Sequence, residues 1–267
     1  MSGPAPRSRP RSHTTASLCV AATVVLAGGG CSGSGVQSML DPAGPAAEGI
    51  AHTWWIMAGG AVVILTLVMV LLWRAMVRDP EAPPFRSGIL MIALGGLAFP
   101  VAVLAALLVH GTATGWRVMA MDRPADHAIG VHARQWFWTF RYLGEDGEPL
   151  ATTRDVLVMP QGRDVEFRIT AEDVIHSFWV PRLGGKMDAI PGRTNLLRLR
   201  ADQAVPIRGQ CAEFCGREHA HMAFEVLVVP PAEYEAWVAA GGGPLPDRDP
   251  DARPGEQAGT RGDTADD

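Results

Sequence analysis

Two long stretches of the chain carry no charge. Residues 54–73, WWIMAGGAVVILTLVMVLLW, and residues 88–109, GILMIALGGLAFPVAVLAALLV, are each about as long as a helix needs to cross a bilayer. Trp54, Trp55 and Trp73 flank the first run, as interfacial aromatic residues do. These runs predict a transmembrane hairpin over 52–110, with linkers over 31–51 and 111–122. Beyond residue 123 the apolar period shortens to two. Val165, Phe167 and Ile169 alternate with Glu166 and Arg168, and Leu197 and Leu199 alternate with Arg198 and Arg200. AFEVLVV (223–229) is a further strand. Short strands punctuated by Gly and Pro predict an all-β sandwich or small barrel over 123–240, closed by a short helix, PAEYEAWVA, at 231–239. The polar, Gly- and Pro-rich tail, 241–267, reads as disordered.

Charge orients the hairpin. Arg74, Arg78 and Arg86 outweigh Asp79 and Glu81 in the loop between the runs, which places that loop in the cytoplasm. Both termini and the β domain then lie on the outer, periplasmic side of a bacterial-type plasma membrane. At the N-terminus, Arg7, Arg9 and Arg11 precede an apolar stretch from Ala16 to Ala27, so residues 1–30 resemble a secretory signal. Cys31 follows in a loose lipobox, open to lipidation, ordinary cleavage or retention. Cys19, inside the apolar stretch, reads as a small hydrophobe. The net charge of −5, with no basic stretch interleaved with aromatics, excludes nucleic acid as a partner.

The densest chemistry lies at 211–222, CAEFCGREHAHM. Thiolate, imidazole and thioether are ligands that suit copper. Cys211 and Cys215 sit on one short loop and can each bridge two copper ions. His219, and His176 upstream in DVIHSFWVP, then supply one imidazole per copper. Met222 can bind one copper axially, and a backbone carbonyl, that of Glu213, can cap the other. A disulfide or a zinc site would use the same cysteines. A disulfide needs no His or Met at fixed offsets, and a structural zinc site has no use for a thioether. His221 is a bystander by spacing. No C-x-x-C-H run is present, so no covalently attached haem is expected on this chain.

These residues, together with GKMDAIPGRTN upstream, resemble the CuA domain of haem–copper cytochrome c oxidase subunit II, from about residue 50 to 240. The resemblance implies a cupredoxin-like barrel after the hairpin. It implies a dinuclear CuA centre on His176, Cys211, Glu213 (through its carbonyl), Cys215, His219 and Met222. It further implies magnesium, shared with subunit I, on the Glu213 carboxylate. Partners would be subunits I and III, a c-type cytochrome donor and the membrane. Electrons taken from cytochrome c would pass to haem in subunit I, where oxygen is reduced to water.

Trp136, in Gln135-Trp136-Phe137-Trp138, matches the tryptophan where electrons enter the family's copper site, while Phe137 and Trp138 read as barrel core. Glu145, Asp146, Glu148 and Asp173 are expected either to steer a basic donor or to form ordinary solvated turns. Lys186, Asp188 and Arg193 fall in the stretch that, in the family, meets subunit I and the haem propionates. The chain departs from the family at Ala93, where many members carry a glutamate at the mouth of a proton path. Quinol oxidase subunits lack the cysteine pair, and nitrous oxide reductase needs a second catalytic domain. A copper-storage or copper-delivery lipoprotein is the rival from another class.

Overall fold

The computed structural model describes residues 35–78, 88–119 and 124–244. The expectations for the signal-like segment, Cys19, Cys31, Asp79, Glu81, Arg86 and the tail beyond 244 lie outside the described residues.

The first apolar run lies in a helix, α1 (Pro45–Val77). Pro45 begins it, where a missing N–H costs nothing. The second run forms a rod of three parts: α2 (Gly88–Met91), a π-helical segment (Ile92–Ala98) and α3 (Phe99–Met119). The wide turn has a cause in Pro100. Proline offers no N–H to a carbonyl four residues back, and its ring crowds that carbonyl. A π-turn relieves both, and Gly95 and Gly96 add no side chain there. Ala93 lies in this segment. The rods touch near one end, where Thr53 Oγ1 is 3.2 Å from His110 Nε2. Both are long and apolar enough to cross a membrane, and no residue of their most apolar windows is buried by protein.

Among the described residues ten strands follow: β1 (His127–Arg134), β2 (Phe137–Leu143), β3 (Pro149–Arg154), β4 (Val156–Pro160), β5 (Asp164–Ala171), β6 (His176–Trp179), β7 (Met187–Ala189), β8 (Asn195–Arg200), β9 (Ile207–Cys211) and β10 (Ala223–Val229). One sheet has the order β3-β2-β1-β5-β8 and the other β4-β10-β9-β6-β7. Most pairs are antiparallel, but β1 with β5 and β10 with β4 are parallel. The expected cupredoxin-like barrel is thus two packed five-stranded sheets behind two apolar helices. The alternation read at 165–169 holds: Val165, Phe167 and Ile169 are fully buried, and Arg168 is exposed.

Aromatic rings fill the space between the sheets. Phe178 stacks on Phe224 at 5.2 Å and 10°, and Trp138 meets both edge-on. Gly209 makes room for this stack, because a Cβ there would lie 2.0 Å from Phe224 Cζ. Tyr142 Oη accepts the buried Val158 N–H at 2.8 Å. The last helix, α4 (Pro231–Ala239), seats Trp237 edge-on to Tyr142 at 4.8 Å.

The stretch before α1 is not a free linker: residues 36–44 are bound along the sandwich. The Ala43 N–H donates to the Arg182 carbonyl, and the Asp202 N–H donates to the Ala43 carbonyl, both at 2.8 Å. Arg182, 6% exposed, donates to Asp41 Oδ2 at 2.8 Å, to the Asp41 carbonyl at 2.7 Å and to the Pro206 carbonyl at 3.1 Å. A guanidinium so buried has to be satisfied this fully. The first helix therefore starts from a docked strap, earlier than its apolar run implies.

Candidate metal centre

Strand pairing brings the distant histidine to the cysteine loop. β6 and β9 are neighbours with Phe178 opposite Cys211, so His176 falls beside the loop that leaves β9. The Cys211 N–H donates to the Met222 carbonyl at 2.8 Å, closing the loop on itself. The Ala212 N–H donates to the Ser177 carbonyl at 2.9 Å, tying the loop to β6. A 3-10 turn (His219–His221) then carries His219 inward and leads into Met222 and β10.

The donor atoms converge. Cys211 Sγ is 3.8 Å from Cys215 Sγ and 3.9 Å from His176 Nδ1. Cys215 Sγ is 3.6 Å from His219 Nδ1 and 3.7 Å from Met222 Sδ. The Glu213 carbonyl oxygen is 3.2 Å from Cys211 Sγ. His176, Cys211, Cys215 and Met222 are buried, and the two sulfurs are not bonded to each other. His176, Cys211 and Cys215 place ligand atoms within 4.8 Å of one another. His221 stands outside, 82% exposed and 3.0 Å from Glu218.

The thiols cannot both ionise unaided. Burial pushes Cys211 up, but hydrogen bonds from His176 and from the backbone at Glu213 and Ser177 prevail and bring it down to about 6. Burial and the neighbouring Cys211 charge push Cys215 up to about 12. Adjacent like charges in a dry site exclude each other. A soft cation removes that conflict, so the donor set fits copper.

Asp173 holds His176. Its Oδ1 lies 2.9 Å from His176 Nε2, which leaves Nδ1 facing the sulfurs. Asp173 also accepts the Val174 N–H at 2.7 Å and the Gln135 N–H at 2.8 Å. Burial works against the His176 charge, but Cys211 and Asp173 outweigh it and raise its pKa. Asp173 therefore does not stand free to steer a donor, a structural role that sequence reasoning missed. Gln135 was missed too: its Nε2 donates to the Cys215 carbonyl at 2.7 Å.

Trp136 reaches the same carbonyl, its Nε1–H donating to Cys215 O at 3.2 Å, and its ring is partly exposed. Gly216, at φ +120°, allows this approach, since a Cβ there would lie 3.3 Å from the indole. Trp138 is fully buried core, while Phe137 is only half-buried and carries Arg154 at 3.8 Å from its ring centre. The Glu213 carboxylate points away from the sulfurs to Lys186, 3.6 Å off, and Lys186 is 3.5 Å from Asp188. Arg193 is exposed at the turn after Ile190. Glu145, Asp146 and Glu148 form the exposed turn between β2 and β3.

The family described as "Cytochrome C oxidase subunit II, periplasmic domain" matches residues 143–229, a span that holds all six converging residues. The cytochrome c oxidase subunit 2 of Alkalihalophilus pseudofirmus is 35% identical over 222 residues, covering 78% of this chain and 63% of that protein. The chain thus spans less than two thirds of that relative's length. The subunit 2 of Cereibacter sphaeroides is 27% identical over 223 residues, covering 70% of this chain and 73% of that protein. Among solved structures, the periplasmic domain of subunit II of the Bradyrhizobium japonicum cytochrome oxidase is 33% identical. It covers 45% of this chain and 96% of that domain, with a TM-score of 0.39.

Proposed function

The chain belongs to the cytochrome c oxidase subunit II family, and from that premise we propose that it is the membrane-anchored subunit through which electrons reach a haem–copper oxidase. The observation that carries this reading is the convergence of two thiols, two imidazoles, a thioether and a carbonyl on one buried spot. Cys211 and Cys215 would bridge two coppers, with His176, His219, Met222 and the Glu213 carbonyl as the outer ligands. Such a pair supplies one-electron redox chemistry with the charge shared between the metals.

The chain's own residues do the rest. Asp173 fixes the His176 ring, so little rearrangement accompanies a change of charge. The β-core excludes water from the sulfurs. Trp136 is where electrons would enter, because its indole is accessible and hydrogen-bonded to the Cys215 backbone. Glu213 has a second part: its carboxylate, outside the sulfur site, suits a hard cation such as magnesium at a boundary with subunit I. Subunits I and III and a c-type cytochrome are the proposed partners, with both termini and the β domain on the periplasmic side.

Stopped-flow oxidation of a reduced c-type cytochrome by the copper-loaded full chain tests the reading. Trp136→Ala should slow electron transfer at least about tenfold with copper content unchanged, since it removes a conduit and no ligand. Transfer at the wild-type rate would remove Trp136 from the path.

A further inference from the structure

The two apolar rods carry one histidine each, His52 on α1 and His110 on α3. Both lie just outside the uncharged runs at 54–73 and 88–109. Their rings meet across the hairpin, with centres 6.4 Å apart and planes at 50°. This is the end of the hairpin nearest the β domain, because shortly before His52 the Ala47 N–H donates to the Leu183 carbonyl at 3.1 Å. Ionisable side chains on membrane-facing helices are rare without a partner or a task.

Thr53 sets which ring nitrogen of His110 is free. Its Oγ1 donates to the Gly49 carbonyl at 3.0 Å, which uses its one hydroxyl proton. Toward His110 Nε2, 3.2 Å away, it can then only accept. Nε2 therefore carries the ring proton and Nδ1 the lone pair. A metal-binding imidazole is oriented in this way, one nitrogen donating to an oxygen and the other bare. Glu48 precedes His52 by one turn on the same face of α1, and both are exposed. Two imidazoles and a carboxylate thus share one end of the hairpin.

We propose that Glu48, His52 and His110 form a site for one zinc ion that clips α1 to α3, with water as the fourth ligand. Imidazole with carboxylate and no thiolate suits a borderline divalent cation, unlike the sulfur-rich loop of the β domain. At a zinc–nitrogen length of about 2.0–2.1 Å, two rings on one tetrahedral ion stand roughly 5 Å apart, centre to centre. The rings need to close only slightly, and the exposed His52 and Glu48 side chains are free to turn while Thr53 holds His110. The site shares no ligand with the copper centre, so neither reading depends on the other.

The test uses the full chain in detergent, without a histidine tag and loaded with copper so that the cysteines are occupied. Zinc is titrated in competition with a chromophoric chelator, and its surroundings are read by X-ray absorption. One zinc per chain should bind, with nitrogen and oxygen neighbours and no sulfur, leaving copper content unchanged. Thr53→Val should weaken zinc about tenfold by releasing the His110 ring. Thr53→Ser, which keeps the hydroxyl, should bind as wild type does. His52→Ala and His110→Ala should each weaken zinc further than Thr53→Val. Sulfur neighbours, or zinc bound as tightly by the chain carrying both alanines, would overturn the proposal and leave the two histidines as polar ends of the helices.

Discussion

Asp173 Oδ1 sits 2.9 Å from His176 Nε2, three residues along the chain. One carboxylate thereby sets the tautomer and the rotation of a buried imidazole whose other nitrogen faces Cys211. Partners of this kind raise ligand basicity and fix ring orientation. Asp173→Asn should therefore weaken copper binding by roughly 10–100-fold in competition with a chelator. A copper affinity equal to wild type would show that His176 is oriented without Asp173.

Gly209 tests the core beneath the site. Its missing side chain admits Phe224, and a Cβ would fall 2.0 Å from the ring tip. Gly209→Ala should destabilise the β domain by about 1–3 kcal/mol or more, as overpacked cores do. Thermal unfolding of the full chain in detergent measures this, and an unchanged melting temperature would mean that the ring moves aside freely.

Glu166 gives the acid limb. It lies opposite Arg198 across β5 and β8, with Oε2 2.9 Å from Nη2. The Arg198 hydrogen bond, against burial, holds its carboxyl below the usual carboxylate range. A depressed folded pKa contributes stability above the unfolded value, and that stability is lost as pH falls through the folded value. Glu166→Gln should cost about 1–2 kcal/mol at neutral pH. The difference from wild type should shrink as pH drops below about 4. A difference that stays constant from pH 7 to pH 3 would contradict the assignment.

The period-two pattern at 165–169 and the Cys, His and Met run at 211–222 were legible because both are local. A strand face is written in alternate residues, and soft ligands at fixed offsets announce one loop. What was not legible depends on distant chain segments meeting. Nothing near Asp41 points to Arg182, so the strap before α1 looked like a linker. Asp173 read as a surface acid because its partner is chosen by how the turn before β6 folds, not by spacing. The π-turn ahead of Pro100 likewise needed the helix around it.

The proposed centre is a pair of coppers held between two thiolates. It is tested most directly by copper quantification with electron paramagnetic resonance on the full chain, loaded with copper and partly reduced. Two coppers per chain are expected, with one unpaired electron whose signal is split by both nuclei. Cys215→Ser should abolish that signal. One copper per chain with a mononuclear spectrum, or an unaltered two-copper signal in Cys215→Ser, would contradict it.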